Sequence, residues 1–184
     1  MKLLILIWII KMQEFCMDVC ADADSLFTKD ADILNHVKDT YPTCNYFHIK
    51  VYLHYNSTQL TSVLLRELWI RDKYYHRIDG PAIIIYNIHT SSILSEKWYI
   101  DGYSHRTDGP ATTLRRNDGT LFQEMWFNQG LYHNRRGPAL KIYDEFEKVQ
   151  NEKFYINDKE YNFNDWLKLS DYTDDEKIVF KLKR

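Results

Sequence analysis

The sequence predicts a mainly β fold: an elongated antiparallel β-meander of 28–29-residue hairpin repeats, with short helical caps at the N- and C-terminal ends. Three observations predict it. The first is an internal repeat: ELWIRDKYYHRIDGPA (residues 67–82), EKWYIDGYSHRTDGPA (96–111) and EMWFNQGLYHNRRGPA (124–139) align without a gap. In each copy Trp precedes His by seven positions and Pro by twelve, as Trp69/His76/Pro81, Trp98/His105/Pro110 and Trp126/His133/Pro138. A fainter fourth copy, EKFYINDKEYN, starts at Glu152, and the starts lie 29, 28 and 28 residues apart counted from Trp69, Trp98, Trp126 and Phe154. A fixed period of this size marks a stacked architecture. The second observation is aromatic enrichment, 15% of the chain, in residue types that half-buried sheet faces favour. The third is punctuation by turn residues, with nearly all six Gly at repeat corners.

Within the central unit, residues 97–100 form a strand, Asp101-Gly102 turns it, and residues 103–106 return. Thr107-Asp108-Gly109-Pro110 makes the next corner, where Pro ends pairing because it has no N–H to give. Residues 111–115 add a third strand, Asn117-Asp118-Gly119 turns again, and residues 121–127 lead into the next Trp. The equivalent turns Arg71-Asp72-Lys73 and Asn157-Asp158-Lys159 lack Gly, which predicts a less demanding geometry there. Trp69, Trp98 and Trp126 are expected to form a buried ladder that stitches the units together.

The ends read differently. Residues 1–10 (MKLLILIWII) are too short for a membrane-spanning helix. They read as an apolar helix that docks, or as sequence ahead of a start at Met12 or Met17. A secretory signal cleaved near Val19-Cys20-Ala21 is not favoured, given Lys11, Gln13, Glu14 and Asp18. Residues 21–40 carry Leu26, Phe27, Ile33, Leu34 and Val37 at helical spacing, with Asp30 as N-cap and Pro42 as stop. Residues 46–55 alternate, with Phe47, Ile49, Val51 and Leu53 on one face and His48, Lys50 and Tyr52 on the other. At the far end, residues 164–170 and 173–182 read as helices, the second opened by a Thr173/Glu176 capping box. Ile178, Val179 and Leu182, with Trp166, Leu167 and Leu169, are expected to cover the last sheet edge. The organisation is thus an apolar and helical segment (1–44), the repeat array (45–163) and a helical cap (164–184).

Chemistry is harder to find. The net charge of −2 and pI near 6.4 give no basic field to draw in nucleic acid, and the pairs Arg115-Arg116 and Arg135-Arg136 read as solvated loop charges. Cys16, Cys20 and Cys44 are odd in number, which predicts a reducing intracellular setting rather than a disulfide framework. The recurring His-Arg-x-Asp element has the look of a catalytic cassette: His76, His105 and His133, then Arg77, Arg106 and, one residue later, Arg135, with Asp79 and Asp108. An active site is singular, whereas this element recurs once per unit. His and Asp are therefore expected to fix the Gly-Pro turn by hydrogen bonds. No catalytic, cofactor-binding or metal-ligating residue is assigned, and no phosphate loop, nucleophile elbow or HExxH motif occurs.

The string W-[YFI]-x-[DN]-G-x-x-H-R-x-D-G-P-A resembles the MORN-like repeats of uncharacterised proteins from large DNA viruses and bacteria. The likeness covers residues 67–162, strong in the first two copies, partial in the third and weak in the fourth. The unit is longer than the usual MORN unit, and HRxDGPA replaces the glycine-rich pattern. The resemblance implies protein–protein and sometimes phospholipid contacts, and, for a viral source, the host cytoplasm. The expected function is a non-enzymatic, monomeric repeat scaffold that binds a protein partner and no nucleic acid. The alternatives are a membrane-associated scaffold, touching lipid through residues 3–10, and a His/Asp-based metal or hydrolytic site. Positions that differ between copies, Tyr75/Ser104/Tyr132 and Ile84/Thr113/Lys141, are where a partner would read the array.

Overall fold

A computed structural model describes residues 4–11, 14–22, 35, 39, 45–55 and 61–183. It is mainly β, in antiparallel meanders, with two short helices near the C-terminus. The chain divides into two units, Met1–Gly102 and Tyr103–Arg184.

The first unit orders its strands β2-β1-β3-β4-β6-β7. These are β1 (Leu4–Lys11), β2 (Glu14–Asp22), β3 (Tyr46–Tyr55), β4 (Thr61–Arg71), β6 (Ile83–Tyr86) and β7 (Ile93–Lys97). The short β5 (Tyr74–Tyr75) folds back on β4, and β8 (Tyr99–Ile100) follows β7. Here the expected N-terminal apolar helix is corrected: residues 4–11 are a strand, paired with β2 on one edge and with β3 on the other. The reason lies in Ile5, Ile7, Ile9 and Ile10, whose branched side chains suit a pleated strand better than a helix. An apolar run of eight cannot be assigned by periodicity alone, and β3 offered an edge to pair. Asn35 and Asp39 are helical, whereas Ala21 and Asp22 belong to β2. The remainder of the helix expected over residues 21–40 lies outside the described residues.

Register then fixes the faces. Ile49 stands opposite Leu68, and Phe47 opposite Ile70, while Leu68 also faces Ile83 on the other side. These side chains, with Val51, form the core of the unit, and Ile49 and Leu68 are fully buried. The neighbouring positions point the other way, which pairs His48 with Trp69 and Lys50 with Glu67.

The second unit contains β9 (Tyr103–Ser104), β10 (Thr112–Arg115), β11 (Leu121–Met125), β14 (Leu140–Tyr143), β15 (Val149–Ile156) and β16 (Lys159–Tyr161). From β10 onward they pair in the order β10-β11-β14-β15-β16. A separate two-residue ribbon pairs β12 (Phe127–Asn128) with β13 (Leu131–Tyr132). The helices α1 (Phe163–Leu169) and α2 (Asp174–Leu182) close it.

The repeat motif maps onto this geometry closely. After the Pro of each corner, Ala re-enters the ladder: Ala82 accepts from Trp69 N and donates to Lys97 O, and Ala139 accepts from Trp126 N and donates to Lys153 O. Ala82, Ala111 and Ala139 are all fully buried, which leaves no room for a larger side chain. The Trp residues do not follow expectation. None of Trp69, Trp98 and Trp126 is buried; each is half-exposed. The face opposite Trp69 belongs to Leu68 and Ile70, so Trp69 lies on the face it shares with Glu67 and His48.

The tight turns are also corrected. All four place two consecutive residues at positive φ: Asp72 and Lys73 (48° and 82°), Asp101 and Gly102 (50° and 82°), Gln129 and Gly130 (49° and 83°), Asn157 and Asp158 (50° and 61°). This is the mirror-image turn that matches strand twist, and the copies without Gly adopt it despite their side chains. Lys73 carries the largest mismatch, since a Cβ at left-handed φ costs about 1–2 kcal/mol. Lys73→Gly is expected to stabilise the protein by about 1 kcal/mol, read as a higher urea midpoint at unchanged slope.

At the C-terminal end, Trp166 and Leu167 are buried against Phe154, with Phe163, Tyr172 and Phe180 around them. The capping box at Thr173/Glu176 is present in both directions. The face of α2 differs from expectation: Phe180 docks, while Ile178, Val179 and Leu182, and Leu169 on α1, are exposed. Residues two places from Phe180 sit about 200° away around the helix, so docking by Phe180 turns Ile178 and Leu182 outward.

Candidate functional site

The His of each repeat clasps the turn of the repeat that follows. His76 is buried and its Nδ1 accepts from Asp101 N at 3.1 Å; His105 Nδ1 accepts from Gln129 N at 3.3 Å; His133 Nδ1 meets Asn157 Oδ1 at 2.6 Å. Beside each clasp, a backbone bond runs from the second turn residue to the preceding repeat: Gly102 N to Tyr75 O, Gly130 N to Ser104 O, Asp158 N to Tyr132 O. His was expected to fix its own Gly-Pro corner. It fixes a corner 24 or 25 residues later instead, and so acts as a connector between repeats.

The Gly-Pro corner is held by Arg and Asp. Arg77 Nε donates to Asp79 Oδ1 at 2.9 Å and its Nη1 to Pro81 O at 3.4 Å; Arg106 repeats both bonds to Asp108 and Pro110 at 2.8 and 3.4 Å. In each case the guanidinium beside the Asp holds its carboxyl below the usual carboxylate range. The third copy departs from the motif for a visible reason. Asn134 takes over the bond to Pro138 O at 3.1 Å, which frees Arg135 to donate to Leu169 O and to pair with Asp171 at 2.9 Å. Trp166 Nε1 donates to Asn134 O at 2.8 Å and Tyr172 Oη to Arg136 O at 2.6 Å. The HNRRGPA string is the receptor of the C-terminal cap. Arg135 is therefore no solvated loop charge, and neither is Arg116, which donates to Leu121 O and Asp144 O at 2.7 and 3.0 Å.

Sequence reasoning missed one recurring pair. Glu67 accepts from Tyr86 Oη at 2.7 Å and Glu124 from Tyr143 Oη at 2.5 Å, each Tyr lying 19 residues downstream. The repeated spacing was the available signal. Glu67 is almost buried and also meets His48 Nε2 at 2.7 Å, with His48 stacked on Trp69 at 4.0 Å and Arg77 over the same ring at 4.0 Å. Burial would raise the Glu67 carboxyl, but the bonds from Tyr86 and His48 prevail and hold it low. Burial lowers His48 against the opposing pull of Glu67. Burial, then the bond to a carboxylate, pushes both Tyr86 and Tyr143 upward.

A pH dependence follows. Folded His48 takes a proton less readily than the unfolded chain does, so acidification below its ordinary 6.5 favours unfolding. Folded Glu67 likewise resists protonation, and its contribution is full above 4.5 and lost as pH falls through the lower folded value. The urea midpoint is expected to decline from pH 7 downward and to steepen below about pH 4.5. Glu67→Gln should flatten that lower limb.

The second unit also contains a groove of about 490 Å3 beside the half-exposed Trp126. His105 and His133 both line it, whereas His76 lies in the first unit. Arg106, Arg135, Arg136 and Lys141 contribute four cations to its wall, against the two carboxylates of Asp108 and Asp171. Lys141 Nζ stands over the Trp126 ring at 4.9 Å, and the Arg136 guanidinium over Tyr172 at 5.9 Å. Among the described residues no group of three or more His, Cys, Asp or Glu gathers as a metal site, and no helix is long and apolar enough to cross a membrane. Of the positions expected to be read by a partner, Ile84 is buried, and Tyr132 packs against Phe127 and Tyr155 at 4.3 and 5.3 Å. Lys141 alone of them enters the groove. Comparison with family models, curated proteins and solved structures returned no match.

Proposed function

We propose that the chain is a non-enzymatic repeat scaffold that binds a protein partner. One observation carries this reading: the position after each of the first three tight turns presents a large apolar side chain to solvent, Tyr74 at 57%, Tyr103 at 60% and Leu131 at 42% exposure, while the fourth turn is followed by Lys159. Scattered exposed apolar residues are ordinary, but recurrence at the structural period is not scatter. The polar residues that gave the motif its catalytic look are meanwhile engaged in holding corners and turns. The likeness to MORN-like arrays, where protein contacts are common, points the same way. The membrane-associated alternative drew on residues 3–10. Most of that stretch is β1, engaged along both edges by β2 and β3.

Proximity crosslinking in the native host, comparing the natural chain with Tyr103→Ser plus Leu131→Ser, tests the reading. A reproducible partner whose yield drops in the variant is the expected result. An unchanged partner set, or none, overturns it, and flotation of the chain with liposomes would instead favour the membrane scaffold.

A further inference from the structure

We propose that the groove beside Trp126 receives an acidic segment of a protein partner, its anionic oxygens held by Arg136 and Lys141. This rests on the scaffold reading and deepens it by naming the chemistry of one contact. Repetition itself supplies the argument. Where the first two copies place Asp79 and Asp108, the third places Arg136; where they place Ile84 and Thr113, it places Lys141. Both replacements line the same groove. A singular feature in a repeated framework is what a specific site requires, and here the singularity is positive charge.

Among the described residues no salt bridge ties up these two cations, although Lys141 stands opposite Glu124 and Glu152 in the ladder and Arg136 lies within electrostatic reach of Glu176. Arg106 is held by Asp108 and Arg135 by Asp171, at 2.8 and 2.9 Å. Arg136 and Lys141 lie over aromatic rings, and among the described residues neither forms a salt bridge. Arg136 is exposed and Lys141 half-buried, so an incoming anion meets one mobile and one partly desolvated charge. The groove volume of about 490 Å3 admits one or two side chains of an extended peptide, and Trp126 offers a flat apolar wall beside the charges. The chain as a whole carries a net charge of −2, so the attraction is local to this groove. Carboxylates and a phosphorylated side chain share the required chemistry.

The test uses the full chain and five probes: a glutamate-rich peptide, the same backbone with phosphoserine, inorganic phosphate, and, as controls, an oligolysine peptide and an oligonucleotide. Binding is read by fluorescence anisotropy of labelled peptides and by Trp emission, with Trp126→Phe identifying the responding ring. The decisive variant restores the residues of the second copy, Arg136→Asp with Lys141→Thr. That variant is expected to fold, because Arg136 is exposed and Lys141 only half-buried, and its melting temperature checks it. At least one peptide should bind, weaken with added salt, and lose about tenfold in affinity for each charge removed. Preference for the glutamate or the phosphoserine peptide identifies the source of the anion. Equal binding by the variant, binding of inorganic phosphate alone, or equal binding of an oligolysine peptide or an oligonucleotide overturns the inference. Such a failure, with crosslinking still sensitive to Tyr103 and Leu131, removes this groove and leaves the scaffold reading standing.

Discussion

Trp166→Ala is expected to destabilise the C-terminal unit by about 4 kcal/mol, among the largest effects of any single truncation in that unit. The side chain is fully buried and touches four aromatic rings, with centroids at 4.6 Å to Phe154, 5.8 Å to Phe180, 6.3 Å to Tyr172 and 6.5 Å to Phe163. Its removal leaves a cavity that flat, rigid neighbours cannot collapse to fill. It also deprives Asn134 O of its donor at 2.8 Å, an acceptor in the rewritten third copy. The loss should appear as early urea unfolding of the cap and faster proteolysis after Lys168 and Lys177. Trp166→Phe retains most of the apolar contact and loses only the Nε1 bond, so about 1–2 kcal/mol is expected. If Trp166→Ala instead behaves like the truncation of exposed Ile178, within about 0.5 kcal/mol, the docking of α1 described above is wrong.

That contrast shows what the sequence reveals and what it hides. The spacing of Trp, His and Pro exposes the repeat, and Gly-Pro and Asp-Gly expose its corners, because turn chemistry acts within a few residues. The Thr173/Glu176 capping box is local for the same reason. What escapes is contact between copies. The His76 clasp joins residues 25 apart and the Glu67/Tyr86 pair residues 19 apart, and a single linear motif does not show which neighbour answers it. The irregular third copy is explained only once Arg135 is seen bonding to Leu169 and Asp171. On α2 the apolar residues span more of the helix than one face, and only docking decides that Phe180 goes in and Leu182 stays out. The groove is legible in retrospect, since comparing Asp79, Asp108 and Arg136 reveals the change of sign before any coordinate does.

Leu68→Ala carries the second large expectation, about 3 kcal/mol in the first unit. Leu68 is fully buried and flanked on both neighbouring strands, by Ile49 on β3 and Ile83 on β6. A void there is bounded by backbone hydrogen-bonded on each side, which limits relaxation and keeps the cavity open. The adjacent Trp69→Ala removes a larger side chain, yet should cost less. Trp69 is half-exposed, and what it loses is stacking by His48 and the guanidinium of Arg77, both close to solvent. The order of the two effects therefore tests which face of β4 is the core. A Trp ladder at the centre of the fold requires Trp69→Ala to be the more damaging. The register that places Leu68 opposite Ile49 requires the reverse, because a shift of one residue would exchange the two faces along the whole strand. Urea denaturation of both variants decides it, and a larger loss at Trp69 would overturn the assignment of faces from which the positions of Glu67, His48 and Tyr86 follow.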